Sequence, residues 1–170
     1  MAHISPPSHS IKRRSTIFLQ GVIVLVGIGA LIFILWEPHL EGRNKHSTLF
    51  ETYFHDPFLA YAYIASILFF VCLYQAFKLL GYIGQNKVSS PNSVRALKAI
   101  KYCSMGLVAF ILGAEAYFFT IRRSKDDIAG GVMMGLFLIS IFVIVSVTAA
   151  IFDKNLQSVL DAKSENNLTV

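Results

Sequence analysis

IFLQGVIVLVGIGALIFILW, residues 17–36, is a run of twenty residues without a charge, entered directly from the basic cluster Lys12, Arg13 and Arg14. As a helix rising about 1.5 Å per residue it reaches roughly 30 Å, the thickness of a bilayer's hydrocarbon core. A secretory signal would have a shorter apolar core and a small-x-small cleavage site. This run instead closes on Trp36-Glu37-Pro38, so it is read as an uncleaved membrane span.

The same pattern recurs along the chain. FLAYAYIASILFFVCLYQAFKLL predicts a second span over 58–80, with Tyr61 and Tyr63 at one interface, Lys78 snorkelling at the other, and Gly81 and Gly84 marking its exit. The polar stretch QNKVSSPNS supplies turn chemistry, and Pro91 a helix start. In SVRALKAIKY, Val94, Leu97 and Ile100 fall on one helical face and Arg95, Lys98 and Lys101 on another, which predicts an interfacial helix leading into a third span over 100–121. A short connection then permits only an antiparallel neighbour, the fourth span over 128–152. Past Phe152, Leu156, Val159 and Leu160 share a face while Asp153, Lys154, Gln157 and Asp161 lie elsewhere, so the fourth helix is expected to continue amphipathically.

The predicted architecture is therefore all-α, an integral membrane bundle of four transmembrane helices. A basic tail over 1–14 precedes a membrane domain over 15–152, with an outer loop over 37–57, and an amphipathic tail over 153–170 follows. The composition agrees: 170 residues that are 55% hydrophobic and 15% charged, with mean hydropathy +0.59, hold four crossings and little else. That excludes most large-domain enzymes.

Basic residues orient the bundle. Lys12, Arg13, Arg14, Lys78, Lys87, Arg95, Lys98, Lys101, Lys154 and Lys163 fall on the side of the termini, against Arg43, Lys45, Arg122, Arg123 and Lys125 opposite. The bias predicts cytoplasmic termini.

Glu115 is the one carboxylate inside a predicted span, about six or seven residues from its outer end and so roughly 10 Å deep. A charge there is costly unless neutralised, paired or hydrated. Arg122, seven residues on, shares its face, while Tyr63 and Ser66 of the second span offer hydrogen bonds to a neutral carboxyl; a ligand, proton or signalling role stands beside these structural ones. GVMMG places Gly131 and Gly135 in a GxxxG pair, and Ala109 with Gly113 forms a looser small-residue pair. Both suit close packing within the bundle, and the first also suits a homo-oligomer.

Other chemistry is sparse. His39, His46 and His55 share the outer loop with several carboxylates, but without HxxxH or HExxH spacing, so no metal site is assigned. Cys72 and Cys103 lack CxxC spacing and read as small buried side chains. No nucleophile, base and orienting group occur together, and GIGA inside the first span lacks the Lys-Ser/Thr of a phosphate loop. No enzyme activity, catalytic residue or cofactor is expected. The basic middle loop lies nearer to anionic lipid than to nucleic acid, and no direct nucleic-acid binding is expected.

The segments STIFLQGVIVLVGIGAL, DPFLAYAYIASILFF, SSPNSVRALKAIKY and IFDKNLQSVLDAKSENNLTV together resemble a YoaS-like bacterial family of small four-span membrane proteins, known only as a domain of unknown function. The likeness covers about Ser15 to Val170. Members are often encoded beside a small Cro/CI-like helix-turn-helix regulator, so the resemblance implies a cytoplasmic-membrane protein that senses a signal for, or restrains, such a partner. It carries over no catalytic residues. Arg95, Lys98 and Lys101, with Leu156, Val159 and Leu160 of the tail, are the expected docking surfaces, each with the membrane surface as its competing use. Two other functions fit the residues: a small transporter or ligand-binding bundle using Glu115, and an accessory subunit of a membrane complex.

Overall fold

A computed structural model describes the backbone of residues 8–40, 57–122 and 129–168 and the side chains of 14–35, 60–120 and 129–165. The outer-loop histidines' side chains, the side chain of Arg122 and the ends of both tails fall outside these residues.

Four long helices account for nearly all of the described chain: α1 (Ser8–Leu40), α2 (Pro57–Gly84), α3 (Pro91–Tyr117) and α4 (Ala129–Leu168). Each contains a stretch long and apolar enough to cross a membrane, Arg14–Leu35, Ala60–Gly84, Pro91–Thr120 and Ala129–Glu165. The all-α, four-span architecture expected of the sequence is the one observed. α3 ends in a π-helical turn, Phe118–Arg122. The helices outrun the predicted spans, and none breaks at 15 or 152. With 40 residues, α4 extends about 60 Å, twice the hydrocarbon thickness, so it must emerge from the bilayer.

α2 is closed by a Schellman turn. Asn86 adopts φ 55°, the left-handed conformation usually given to glycine, while Lys87 N–H donates to Tyr82 O at 2.8 Å and Asn86 N–H to Ile83 O at 3.1 Å. The helix therefore passes through Gly81 and Gly84, the expected exit, and stops at an asparagine able to tolerate the turn. α3 begins as its sequence indicates, with Pro91 in its first turn and Ser90 as N-cap accepting from Ser93 N–H at 3.3 Å. Ser93, fully buried, donates its hydroxyl to Lys87 O at 3.0 Å and so ties the connection to the helix it starts.

The main contacts join α1 to α2, α2 to α3 and α3 to α4. Rings of Phe69 and Phe142, 6.4 Å apart, bring α2 and α4 together, so α2, α3 and α4 cluster and α1 lies at their edge. Side chains of α1 such as Phe18, Leu25 and Phe33 are open on the bare chain, and in a bilayer they face acyl chains.

The buried apolar cluster is Cys72, Val94, Leu97, Ile100, Ala149 and Leu156. Most of it sits at the end of the molecule that holds the termini, at the level of Arg95, Lys98 and Lys154. Apolar side chains gain little from mutual burial where the alternative is lipid, and much where it is water, so a tight core forms where helices leave the bilayer. This corrects two expectations. Val94, Leu97 and Ile100 form a true helical face, but it packs into protein instead of lying on the membrane. Asp153, expected off the apolar face, is buried beside that core and accepts from Gln157 Nε2 at 2.7 Å.

Candidate functional site

At the opposite end, three helices meet through polar side chains set into glycine surfaces. Tyr61 of α2 lies against α3: its hydroxyl donates to Phe110 O at 2.7 Å, its ring is 4.9 Å from the Phe110 ring, and it covers Gly113 so closely that a β-carbon there would collide with the hydroxyl. One half-turn on, Glu115 of α3 reaches toward α4 and covers Gly135. A β-carbon on Gly135 would coincide with Oε1 of the acid and lie 2.7 Å from Cδ. Only a residue without a side chain admits the carboxyl at this point.

Glu115 is 8% exposed, and its Oε2 is buried without a hydrogen-bond partner among the described residues. Ser66 donates to its own helix, at Tyr63 O, over 2.7 Å, and no hydrogen bond from Tyr63 reaches Oε2, so neither side chain plays the expected part. No Asp, Lys, Arg or His occurs in 60–77, 102–120 or 129–152, leaving Glu115 the one formally ionic side chain in these parts of α2, α3 and α4. An ionised carboxylate without a partner at membrane depth costs several kcal/mol, on the order of 3 or more, so this seat suits the neutral acid.

Just beyond the acid the helix passes into the π-helical turn Phe118–Arg122. At its start Phe118 N–H is shared between Ala114 O and Glu115 O, and Thr120 Oγ1 donates to Ala116 O at 2.8 Å. π-Helical turns relax the i→i−4 ladder and are frequent at functional positions. The turn sets the Phe118 ring 4.0 Å from where a β-carbon of Gly131 would stand. Gly135 is thus covered by α3, whereas Gly131 is exposed and has the Phe118 ring as its nearest neighbour.

The other sequence-marked residues gather at the end with the termini. Arg95 and Lys98 are exposed on α3, and Lys101 is half-buried with its Nζ 5.3 Å from the centre of the Tyr102 ring. Of the α4 residues expected to form an open docking face, Leu156 belongs to the core and Leu160 packs against it; Val159 alone is broadly exposed, at 52%. The 3.6-residue period placed these three on one side of α4; the core takes Leu156 and Leu160 and leaves Val159 at its edge. Between α1 and α2, Thr16, Ile17, Gln20, Gly81, Gly84 and Gln85 line a cleft of about 260 Å³, across which Gln20 Nε2 donates to Phe77 O at 3.2 Å.

Residues 43–170 match the family described as "Protein of unknown function (DUF2975)". The chain belongs to this family. It is also 40% identical to the "Uncharacterized membrane protein YoaS" of Bacillus subtilis (strain 168) over 162 residues, covering 94% of this chain and 99% of that protein. No solved structure matches the chain. Membership makes the protein a membrane protein of the DUF2975 family, in accord with the four apolar helices; it assigns no activity to Glu115 or to the basic face of α3.

Tyr61, Gly113 and Asn86 are the contributors that sequence reading did not single out for their observed roles. Tyr61 read as an interface anchor, Gly113 as half of a small-residue pair, and Asn86 as part of a polar turn. A tyrosine and a glycine on different helices leave no local signal of being paired.

Proposed function

We propose that this DUF2975 protein is a non-enzymatic regulatory protein of the bacterial cytoplasmic membrane, with both termini in the cytoplasm, and that it docks a small soluble transcription regulator. The basic-residue bias supports that orientation. The observation that carries the reading is the continuity of α4: one helix touches Glu115 through Gly135 and, about four to six turns later, enters the opposite core through Ala149 and Leu156. A shift of α4 inside the bilayer is transmitted along its axis to the cytoplasmic end. There the exposed Arg95, Lys98 and Val159 are the groups left for a partner.

The test is mild-detergent purification from crosslinked cells with mass spectrometry of what accompanies the protein. A small helix-turn-helix protein is the expected companion, and Arg95→Glu with Val159→Asp should release it while the chain stays inserted. These exposed positions are preferable to truncation after Lys154, which removes Leu156 from the core. Retention of the same companion by the double variant rejects this docking surface; large membrane proteins in its place would make the chain an accessory subunit.

A second reading is supported by the buried, unpartnered Oε2 of Glu115: a ligand-binding or transporting bundle centred on that acid. Glu115→Gln should then change ligand or proton coupling, and unaltered coupling would count against it.

A further inference from the structure

We propose that Glu115 and Gly135 form a proton-operated latch: the seat over Gly135 is a proton-binding site that holds α3 and α4 together while the carboxyl is neutral and releases them when it ionises. The proposal deepens the second reading of Glu115 and is independent of the docking partner.

Three observations carry it. The carboxyl occupies the β-carbon space of Gly135, so the closed contact between the helices includes the acid itself. Oε2 is buried with no donor among the described residues, so removal of the proton leaves a charge that none of them stabilises in place. The helix changes from α to π three residues later, at Phe118, giving α3 a point at which it can rewind as the side chain leaves.

The surroundings favour a proton over a metal cation. Sodium or calcium needs several oxygen ligands. The apposed part of α4, 129–152, has no carboxylate, and the Tyr61 hydroxyl donates to Phe110 O. Besides Glu115, the titratable groups over 60–77 and 102–120 are Tyr61, Tyr63, Cys72 and Tyr74 on α2 and Tyr102, Cys103 and Tyr117 on α3; α4 supplies none over 129–152. Arg122, with its side chain outside the described residues, is the nearest guanidinium in sequence and is tested separately.

The experiment uses the full chain in phosphatidylethanolamine–phosphatidylglycerol vesicles, with spin labels at the exposed Leu112 and Met134 and with Cys72 and Cys103 replaced by alanine. Acid pH should give one short distance, which lengthens and broadens as pH rises. Infrared difference spectra should show a protonated-carboxyl band lost over the same range. Glu115→Gln, neutral at every pH, should remove that band and keep the short distance throughout. Arg122→Gln should leave the response in place. A distance unaffected by pH, a carboxyl band persisting throughout, or the same titration in Glu115→Gln overturns the latch. Loss of the response in Arg122→Gln overturns it in favour of an ion pair, and a shift on exchanging choline for sodium at fixed pH overturns it in favour of a cation site. Failure of partner capture leaves all these outcomes unchanged, so the two proposals fail separately.

Discussion

The Tyr61 hydroxyl stands where a side chain on Gly113 would begin, and its hydrogen bond to Phe110 O spans 2.7 Å. This contact fixes α2 against α3 much as Glu115 and Gly135 fix α3 against α4. In lipid, where burying one apolar side chain against another gains little, close backbone approach and a hydrogen bond are the available means of holding helices together.

Gly113→Ala should therefore destabilise the protein by about 1–3 kcal/mol, read as lower thermal stability in detergent, because the new methyl group meets the hydroxyl. Tyr61→Phe alone should cost about 0.5–1.5 kcal/mol through loss of the hydrogen bond. Combined, the two should cost less than their sum, since the ring carbon behind the hydroxyl is 3.5 Å from the new methyl, an ordinary contact. Strict additivity would mean that the contact is not made in the membrane.

Gly135 and Gly131 make a matched pair for the second contact. Gly135→Ala should displace the Glu115 carboxyl and lower stability by about 1–3 kcal/mol. Gly131→Ala, whose new atom has its nearest neighbour at 4.0 Å, should be neutral or slightly stabilising through helix propensity. Equal thermal shifts for the two variants would show that the motif serves something other than seating Glu115.

The four spans, the Ser90-Pro91 helix start and the placing of Glu115 within a span were legible in the sequence because each leaves a local mark: length, capping chemistry, or a lone charge in an apolar run. Partners were not. Leu156 and Val159 look alike in the amphipathic pattern of α4, and only α3 distinguishes them, burying one and leaving the other open. Asp153 read as a solvated residue, since nothing in its neighbours announces that α4 remains packed beyond the bilayer. Gly135 read as a packing surface, but the group filling it is an acid twenty positions earlier in the chain.

Asn86 predicts the behaviour of the α2–α3 connection. At φ 55° a residue with a β-carbon is strained, and asparagine tolerates the strain better than most. Asn86→Ala should cost about 1 kcal/mol, whereas Asn86→Gly should be neutral or stabilising. Thermal melts of the pair, together with protease sensitivity at residues 85–90, check the order; equal loss in both would assign the effect to the asparagine side chain instead of the backbone.

Leu156 and Val159 give the sharpest contrast because they lie one turn apart on α4 with opposite surroundings. Leu156, 8% exposed among Val94, Leu97 and Ile100, should lose about 2–5 kcal/mol on truncation to alanine, since this end of the helix pair has water as its alternative environment and a cavity there stays unfilled. Val159→Ala should stay within about 0.5 kcal/mol. Hydrogen exchange should localise the first effect: amides of both the start of α3 and the end of α4 should exchange faster in Leu156→Ala, because each helix buries its apolar face on the other. Loosening confined to α4 would show that α3 keeps its core without the tail, and the continuous path from Gly135 to the proposed docking face would then end at Ala149.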